Sequence, residues 1–152
     1  MWPAPRPELR GAALQRWRAL HLSHCEQARS THTHSVVFLG DSITEGWLRT
    51  GFSARVASVP QPRCEKIWQE AFGRWRPLNF GVGGDRVQDL GWRLQHGLLP
   101  ASLQPSAFVV HIGTNDIGNG ETAEVALMEL RTLLSQLHTA RPAAAVLVVG
   151  LF

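Results

Sequence analysis

The sequence predicts an α/β fold in which a doubly wound parallel sheet carries helices on both of its faces. Two observations predict it. Short apolar segments alternate with segments of helical periodicity, and three of the four apolar segments end in polar, glycine-rich turns. Strands that alternate with helices form right-handed βαβ units and a parallel sheet. The 152 residues, of which 44% are hydrophobic, are enough to build one such core.

Four short segments are predicted to be strands because they are apolar and are bounded by turn residues. They cover residues 36–39, 78–80, 108–112 and 145–151. Apolar residues without polar alternation are typical of strands that are covered by helices on both faces. We therefore expect all four strands to be buried.

The segments between these strands show helical periodicity. Two series of apolar residues each recur on one helix face: Val87, Leu90, Leu94 and Leu98, and then Leu127, Leu130, Leu134 and Leu137. Both faces are expected to pack on the sheet. Asp85 followed by Gln88 resembles a capping box, and Glu121 and Glu124 lie where the first turn of a helix favours negative charge. A shorter helix is predicted over residues 64–72.

The chain is predicted to divide into an N-terminal extension with a helix over residues 1–34 and an α/β domain over residues 35–152. The first twenty residues lack the apolar core of a secretory signal, so a cytoplasmic protein is expected. Because this stretch is rich in arginine, an organelle transit peptide is the alternative to an amphipathic helix. Residues 49–63 show no period and contain Gly51, Pro60 and Pro62, which predicts a long, disordered loop.

Composition argues against several classes of protein. The formal charge is +3, and the arginines are scattered, so nucleic-acid binding is not expected. No apolar run approaches the roughly 20 residues that span a bilayer, so the protein should be soluble. Cys25 and Cys64 lie far apart without metal-ligand spacing, which argues against a disulfide framework and a zinc site.

The first strand ends in the turn G-D-S-I-T-E-G. Gly40 permits a tight exit from the strand, and Ser42 would lie at the rim of the sheet near the start of a helix. An exposed serine in that place is suited to act as a nucleophile. The alternative interpretation is that Asp41 and Ser42 merely cap the helix.

The next two strands also end in turns that are suited to bind an anion. The turn N-F-G-V-G-G-D-R contains Gly81, Gly83 and Gly84, whose backbone N–H groups can approach a ligand closely. The turn G-T-N-D places the side-chain amide of Asn115 directly after a strand. Ordinary tight turns, or a flavodoxin-like nucleotide site at residues 81–84, are the alternatives.

Together the blocks GDSITEG, NFGVGGDR and GTND resemble, in this order, the first three motif blocks of the SGNH (GDSL) hydrolases. The sequence NFGVGGDRVQDLGWRLQHG is most similar to catalytic subunits of the type I platelet-activating-factor acetylhydrolases. The resemblance implies a flavodoxin-like three-layer fold and a serine ester hydrolase without metal or organic cofactor. It implies a small-molecule or lipid ester as substrate and a possible homo- or heterodimer with a related subunit.

The same resemblance implies a role for each site residue. Ser42 would be the nucleophile and, through its backbone N–H, one oxyanion donor. Gly84 would supply a second donor through its N–H, and Asn115 a third through its side chain. Asp41 would support the loop structurally.

The family's last block, an Asp followed three residues later by a His, does not occur in this sequence. None of the seven histidines is a natural replacement for the general base, and His111 on the third strand is expected to be a buried core residue. The sequence therefore predicts a C-terminally truncated hydrolase domain of impaired activity. The alternative function is a non-catalytic binding or regulatory partner of a full-length homologue.

Overall fold

The computed structural model describes residues 2–30, 35–48 and 62–151. The helices are α1 (Gly11–Arg29), α2 (Ser42–Glu45), α3 (Pro62–Phe72), α4 (Val87–Arg93), α5 (Thr114–Gly118) and α6 (Ala123–Ala140). The strands are β1 (Val36–Gly40), β2 (Leu78–Asn79), β3 (Ala107–His111) and β4 (Ala145–Val148). A 3-10 turn, Gly73–Trp75, follows α3, and a π turn, Leu94–Leu98, follows α4.

The four strands form one parallel sheet in the order β2-β1-β3-β4. Val37 pairs with Leu78 on one side and with Phe108 on the other, and Phe108 pairs in turn with Val146. Strand order reverses between β1 and β3, which is the point where ligands bind in open α/β sheets. The doubly wound fold predicted from the sequence is thus confirmed.

The strands lie close to their predicted positions, but they are not equally buried. β1 and β3 carry the centre of the core, with Val37, Leu39, Phe108 and Val110 fully buried. The expectation that all four strands are buried is wrong for β4, where Leu147 is 60% exposed. β4 is the last strand of the sheet, and no helix of the described residues covers its outer side.

α4 begins one residue later than the sequence suggested. Arg86 is the N-cap, and its backbone N–H donates to the Asp89 carboxylate at 2.9 Å. The predicted capping box of Asp85 and Gln88 is therefore wrong, because the Asp85 side chain is turned into the protein interior. The face predicted for this helix is correct, since Val87, Leu90, Leu94 and Leu98 all belong to the core.

α6 uses a slightly different face from the predicted one. Leu133 and Leu137 are fully buried, and Leu130 and Leu134 pack against the core. Leu127, however, is 47% exposed, so the prediction that it faces the sheet is wrong. The neighbouring Ala126 is buried instead.

α1 packs along the domain through one face, which agrees with the amphipathic helix expected before β1. The buried residues of that face are Trp17, His21, His24, Cys25 and Ala28. Among the residues that the structure describes, neither Cys25 nor Cys64 forms a disulfide. The long loop predicted over residues 49–63 lies outside the described residues, except that α3 already begins at Pro62. None of the helices in the described part of the chain is both long and apolar enough to cross a membrane.

Candidate functional site

The three turns singled out in the sequence meet at the carboxyl edge of the sheet. They follow β1, β2 and β3, and these strands are neighbours and run parallel, so that their ends lie side by side. Each turn leads into a helix or a helical turn, and the contacts between the turns are made by backbone groups and short polar side chains. The local sequence thus places the polar groups of all three turns along one edge of the sheet.

The first and second turns are joined by several hydrogen bonds. The Val82 N–H donates to the Gly40 carbonyl at 3.0 Å, and the Gly83 N–H donates to Glu45 Oε2 at 2.6 Å. The Asn79 side chain donates to the Thr44 carbonyl at 2.7 Å. The two backbones are in contact, so a Cβ atom on Gly81 would lie 2.3 Å from the Glu45 nitrogen. Gly81 is therefore required by the close approach of the turns.

Ser42 lies at the open side of this pair of turns. Its side chain is exposed, whereas Asp41 beside it is 1% exposed. Asp41 Oδ1 accepts a hydrogen bond from the Ile43 N–H at 2.9 Å, which caps α2. Burial raises the pKa of Asp41, while the Ile43 N–H and the charge of His111 oppose that rise. The serine hydroxyl is thus presented to solvent from a loop that a buried carboxyl group holds in place.

Asn115 brings the third turn to the other two. Its Nδ2 donates to the Asp85 carbonyl at 2.9 Å and lies 3.4 Å from Asp41 Oδ2. The turn before it requires a left-handed backbone at Gly113, whose φ is 119°. Gly84 in the second turn is also left-handed, with a φ of 80°. Asp41, Gly84 and Asn115 therefore belong to one connected group of loops.

The backbone N–H groups of Ser42 and Gly84 are available to a ligand. Within the parts of the chain that the structure describes, neither N–H donates to a protein acceptor. Most buried or half-buried amides have a partner in the protein, so amides without one at the rim of a sheet are places where an anion can bind. The third turn adds the Asn115 amide, which already donates one hydrogen bond to the Asp85 carbonyl.

Asp85 connects this edge to the interior. Its carboxylate accepts hydrogen bonds from Trp17 Nε1 at 2.7 Å and from Arg93 Nη1 at 3.0 Å. Complete burial raises the pKa of Asp85 to about 6, against the opposing effects of Arg93 and Trp17. Its carbonyl oxygen, on the other side, accepts from Asn115. One residue therefore joins α1, α4 and the third turn.

No histidine nitrogen of the described residues is hydrogen-bonded to Ser42. His21 and His24 lie in α1 and contact the π turn and Arg93, and the His96 ring donates from Nδ1 to the Trp92 carbonyl. His111 ends β3 and is half-buried, not buried as expected from the sequence. Its charge partly opposes the rise that burial causes in the pKa of Asp41.

A cluster of three carboxylates lies beside the site. Oxygens of Asp116, Glu121 and Glu129 are all within 4.8 Å of one another, close enough to ligate one cation. Asp116 already accepts the Val87 N–H at 3.0 Å. Burial raises the pKa of Glu129, and the neighbouring charges of Glu121 and Asp116 raise it further.

Sequence reasoning missed the residues that hold the turns together. Glu45 and Asn79 lie within the motif blocks, yet a hydrogen bond between two turns cannot be read from either turn alone. Asp85 was interpreted as a helix cap, because Asp before a helical pattern is typical of caps. The one available signal was its place beside the glycines of NFGVGGDR.

The family comparison agrees with this arrangement. Residues 38–152 match the model of the GDSL-like Lipase/Acylhydrolase family. Platelet-activating factor acetylhydrolase IB subunit alpha1 of Bos taurus is 32% identical over 149 residues, which are 98% of this chain and 55% of the bovine protein. The chain therefore spans about half the length of the curated relatives it matches.

Solved structures with the same fold are also found. One, described as a putative platelet activating factor from Streptococcus pneumonia, gives a TM-score of 0.66 at 22% identity and covers 90% of this chain and 55% of that one. AlinE4, an SGNH-hydrolase family esterase, gives a TM-score of 0.59 at 20% identity and covers 79% of this chain and 60% of that one. With three motif blocks on one sheet edge and a family match from residue 38 to residue 152, this chain belongs to the GDSL-like lipase/acylhydrolase family.

Proposed function

We propose that the chain is a serine ester hydrolase domain that cleaves an acyl or acetyl ester through an acyl-enzyme. The observation that carries the proposal is the exposed Ser42, whose backbone N–H, like that of Gly84, has no protein acceptor among the described residues, with the Asn115 amide 3.4 Å from Asp41 Oδ2. Family membership supports the reaction class, and the names of the relatives, platelet-activating factor acetylhydrolases, support a small acyl group on a lipid ester.

In the proposed reaction, the Ser42 hydroxyl oxygen attacks the carbonyl carbon of the ester, and the carbonyl oxygen becomes an oxyanion. The oxyanion then collapses and the ester C–O bond breaks, while the proton given up by the Ser42 hydroxyl passes through water to the departing alcohol oxygen. A water molecule next attacks the acyl-serine, which releases the acid and returns a proton to the Ser42 oxygen. The N–H groups of Ser42 and Gly84 and the Asn115 amide would stabilise the oxyanion. Loss of one such donor costs about 2.7–4 kcal/mol of transition-state stabilisation. The Asp85 carbonyl would fix the direction of the Asn115 amide, to which it is hydrogen-bonded at 2.9 Å.

We further propose that these 152 residues alone are a weak catalyst. A serine hydroxyl needs a base to become a good nucleophile, and no histidine of the described residues is bonded to Ser42. An oxyanion site without a working triad retains roughly 10³–10⁴-fold acceleration over water in other serine hydrolases. Low but Ser42-dependent turnover is therefore expected.

A second candidate function is a non-catalytic partner of a related subunit. The exposed apolar side chains of β4 and the following residues favour it, since Leu147, Val148 and Leu151 are each more than 40% exposed. Exposed apolar patches of this kind often mark protein contacts. In that case the chain would co-purify with the related subunit and would not form an acyl-serine.

The test is the acylation of Ser42 by p-nitrophenyl acetate. We expect release of p-nitrophenol above the Ser42→Ala background and an acetylated peptide containing Ser42 by mass spectrometry. Ser135→Ala is the matched control, because Ser135 is an exposed serine on α6. Asn115→Ala should lower the Ser42-dependent rate by roughly 10²–10³-fold.

Equal rates in the parent chain and in Ser42→Ala, with no acetyl-serine detected, would overturn the esterase proposal. Retained rates in Asn115→Ala would leave the nucleophile in place but contradict the proposed donor. Each variant is checked by its thermal unfolding, so that a loss of rate is not confused with a loss of fold.

A further inference from the structure

In the N-terminal segment, residues 2–10, Trp2 packs on α4 and Arg6 reaches the second turn. Trp2 Nε1 donates to Gln136 Oε1 at 2.7 Å, and the Trp2 ring fills the space beside Gly91, where a Cβ would lie 2.2 Å from it. Four residues further on, Arg6 is 8% exposed and reaches the glycines of NFGVGGDR. The packing of α1, the amphipathic helix that follows this segment, does not account for the burial of Arg6 against a glycine turn.

The Arg6 guanidinium contacts the peptide unit between Gly83 and Gly84. Its Nη1 donates to the Gly83 carbonyl at 3.0 Å and lies 3.4 Å from Asp85 Oδ1. Both Nη atoms would lie 2.9 Å from a Cβ on Gly84, so the guanidinium is packed directly on that residue. The side of Gly84 where a Cβ atom would lie is therefore covered by the Arg6 guanidinium.

This contact fixes the direction of the Gly84 N–H. The Gly83 carbonyl and the Gly84 N–H belong to one planar trans peptide, in which they point in opposite directions. Once Arg6 holds the carbonyl on its side, the N–H must point to the other side. Gly83 is held as well at its own N–H, by Glu45 Oε2 at 2.6 Å. Without Arg6, a peptide between two glycines has little to prevent it from rotating.

The contact also affects the strength of the donor. A cationic hydrogen bond to a carbonyl polarises the whole amide and makes its N–H a better donor, because bonds in such chains strengthen one another. Arg6 itself is held in an uncommon conformation, with a φ of 49° and its N–H donating to Asp89 Oδ1 at 2.9 Å. A left-handed arginine persists only where its surroundings determine it.

We infer that Arg6 is a positioning residue that orients the Gly83–Gly84 peptide, so that the Gly84 N–H faces the anion site. The inference rests on the proposed function for its effect on turnover, and on the peptide geometry for its effect on the amide. It assigns a role in the reaction to the segment that precedes the family match at residue 38.

The experiment compares Arg6→Met and Arg6→Lys with Arg10→Met in the full chain. Arg10 is the matched control, because it is an exposed arginine of the same segment whose side chain, among the described residues, donates to the backbone carbonyls of Pro7 and Leu9. Two quantities are measured: the ¹H–¹⁵N amide resonance and hydrogen exchange of Gly84, and kcat and KM for Ser42-dependent hydrolysis of p-nitrophenyl acetate.

We expect Arg6→Met to shift the Gly84 amide resonance and to speed its exchange. It should lower kcat about tenfold while KM stays within about twofold, because an oxyanion donor acts in the transition state. Arg6→Lys keeps the charge and should recover part of both effects. It also serves as the second variant if Arg6→Met unfolds.

Three results overturn the inference. They are an unchanged Gly84 amide in both Arg6 variants, unchanged kcat in both, or equal changes in Arg10→Met. Failure of the proposed function looks different: the parent chain then shows no Ser42-dependent turnover. In that case the Gly84 amide still decides whether Arg6 orients the peptide.

Discussion

The β1–β2 side of the sheet and the β4 side are held in different ways. At the carboxyl ends of β1 and β2, buried polar groups of one turn bind the next, as in the bonds from Val82 to Gly40 and from Gly83 to Glu45. On the β4 side an open apolar groove of about 260 Å³ is lined by Ile117, Leu127, Val148 and other apolar residues.

This comparison separates the groups that are held by contacts among the described residues from those that are exposed. The turns that carry Ser42, Gly84 and Asn115 find their partners among the described residues. The apolar side chains of Leu127 and Val148, in contrast, are 47% and 41% exposed. We therefore expect substitutions around the turns to have large effects and substitutions on the β4 surface to have small ones.

The largest effect on stability is expected from Asp85→Asn. Asp85 and Arg93 form a salt bridge at 3.0 Å with both side chains fully buried, so the change leaves a buried guanidinium without its counter-ion. Removing one partner of such a buried pair lowers the free energy of unfolding by about 3–5 kcal/mol. Urea unfolding at pH 7.5 measures it. Glu8→Gln is the control, since Glu8 is 52% exposed and its ion pairs are expected to contribute less than about 1 kcal/mol.

A pair of leucines compares the two regions directly. Leu133→Ala should lower the free energy of unfolding by about 2–5 kcal/mol, because Leu133 is fully buried in the core. Leu147→Ala should change it by less than about 0.5 kcal/mol, because Leu147 is 60% exposed. If Leu147→Ala were as destabilising as Leu133→Ala, the β4 surface would be covered in solution and the contrast would be broken.

A pair of glycines sharpens the contrast within the site loops. Gly84→Ala forces a side chain into a left-handed backbone, with its Cβ 2.9 Å from Arg6, and should cost at least about 1–2 kcal/mol. Gly118→Ala in α5 meets nothing within 4 Å and should stabilise the protein by about 0.5–1 kcal/mol. Thermal unfolding of both variants measures the difference, and equal shifts would mean that the Gly84 turn is not held as the structure has it.

The sequence predicted the features that depend on short stretches of chain. Strand positions follow from apolar runs, and the turns after β1, β2 and β3 follow from Gly40, Gly84, Asn115 and their neighbours. It did not predict that Ala126 is buried and Leu127 exposed, since the side of α6 that is covered is set by the packing of the whole fold. It assigned Asp85 to a helix cap, because the alternative partners, Trp17 and Arg93, are brought to it only by the fold.

The smallest expected effect is a pH dependence of stability, which arises from the buried histidines near Arg93. Arg93 Nη2 is 2.7 Å from His24 Nδ1, and because a guanidinium only donates, that nitrogen must accept and His24 must be neutral. Burial and the charge of Arg93 lower the pKa of His24 to about 2, and burial above all lowers that of His21 to about 4. Both histidines take up protons on unfolding below pH 6.5.

The sign follows from these shifts. The two neutral histidines favour the folded state above pH 6.5, and this contribution to the free energy of unfolding is lost as the pH falls. Asp85, with its pKa raised to about 6, has the opposite effect. Its contribution is present at low pH and is lost as the pH rises through 6. For these three groups the unfolded chain binds about one proton more than the folded chain between pH 6.5 and 5.5, so together they should lower the free energy of unfolding by about 1.4 kcal/mol per pH unit as the pH falls. His24→Gln retains an acceptor for Arg93 but removes one proton, and its urea midpoint should be nearly constant over this range. If the parent chain were equally stable at pH 6.5 and 5.5, the buried histidines would not be neutral. The contacts of Arg93 would then not connect the β1–β2 side to the interior as the structure has them.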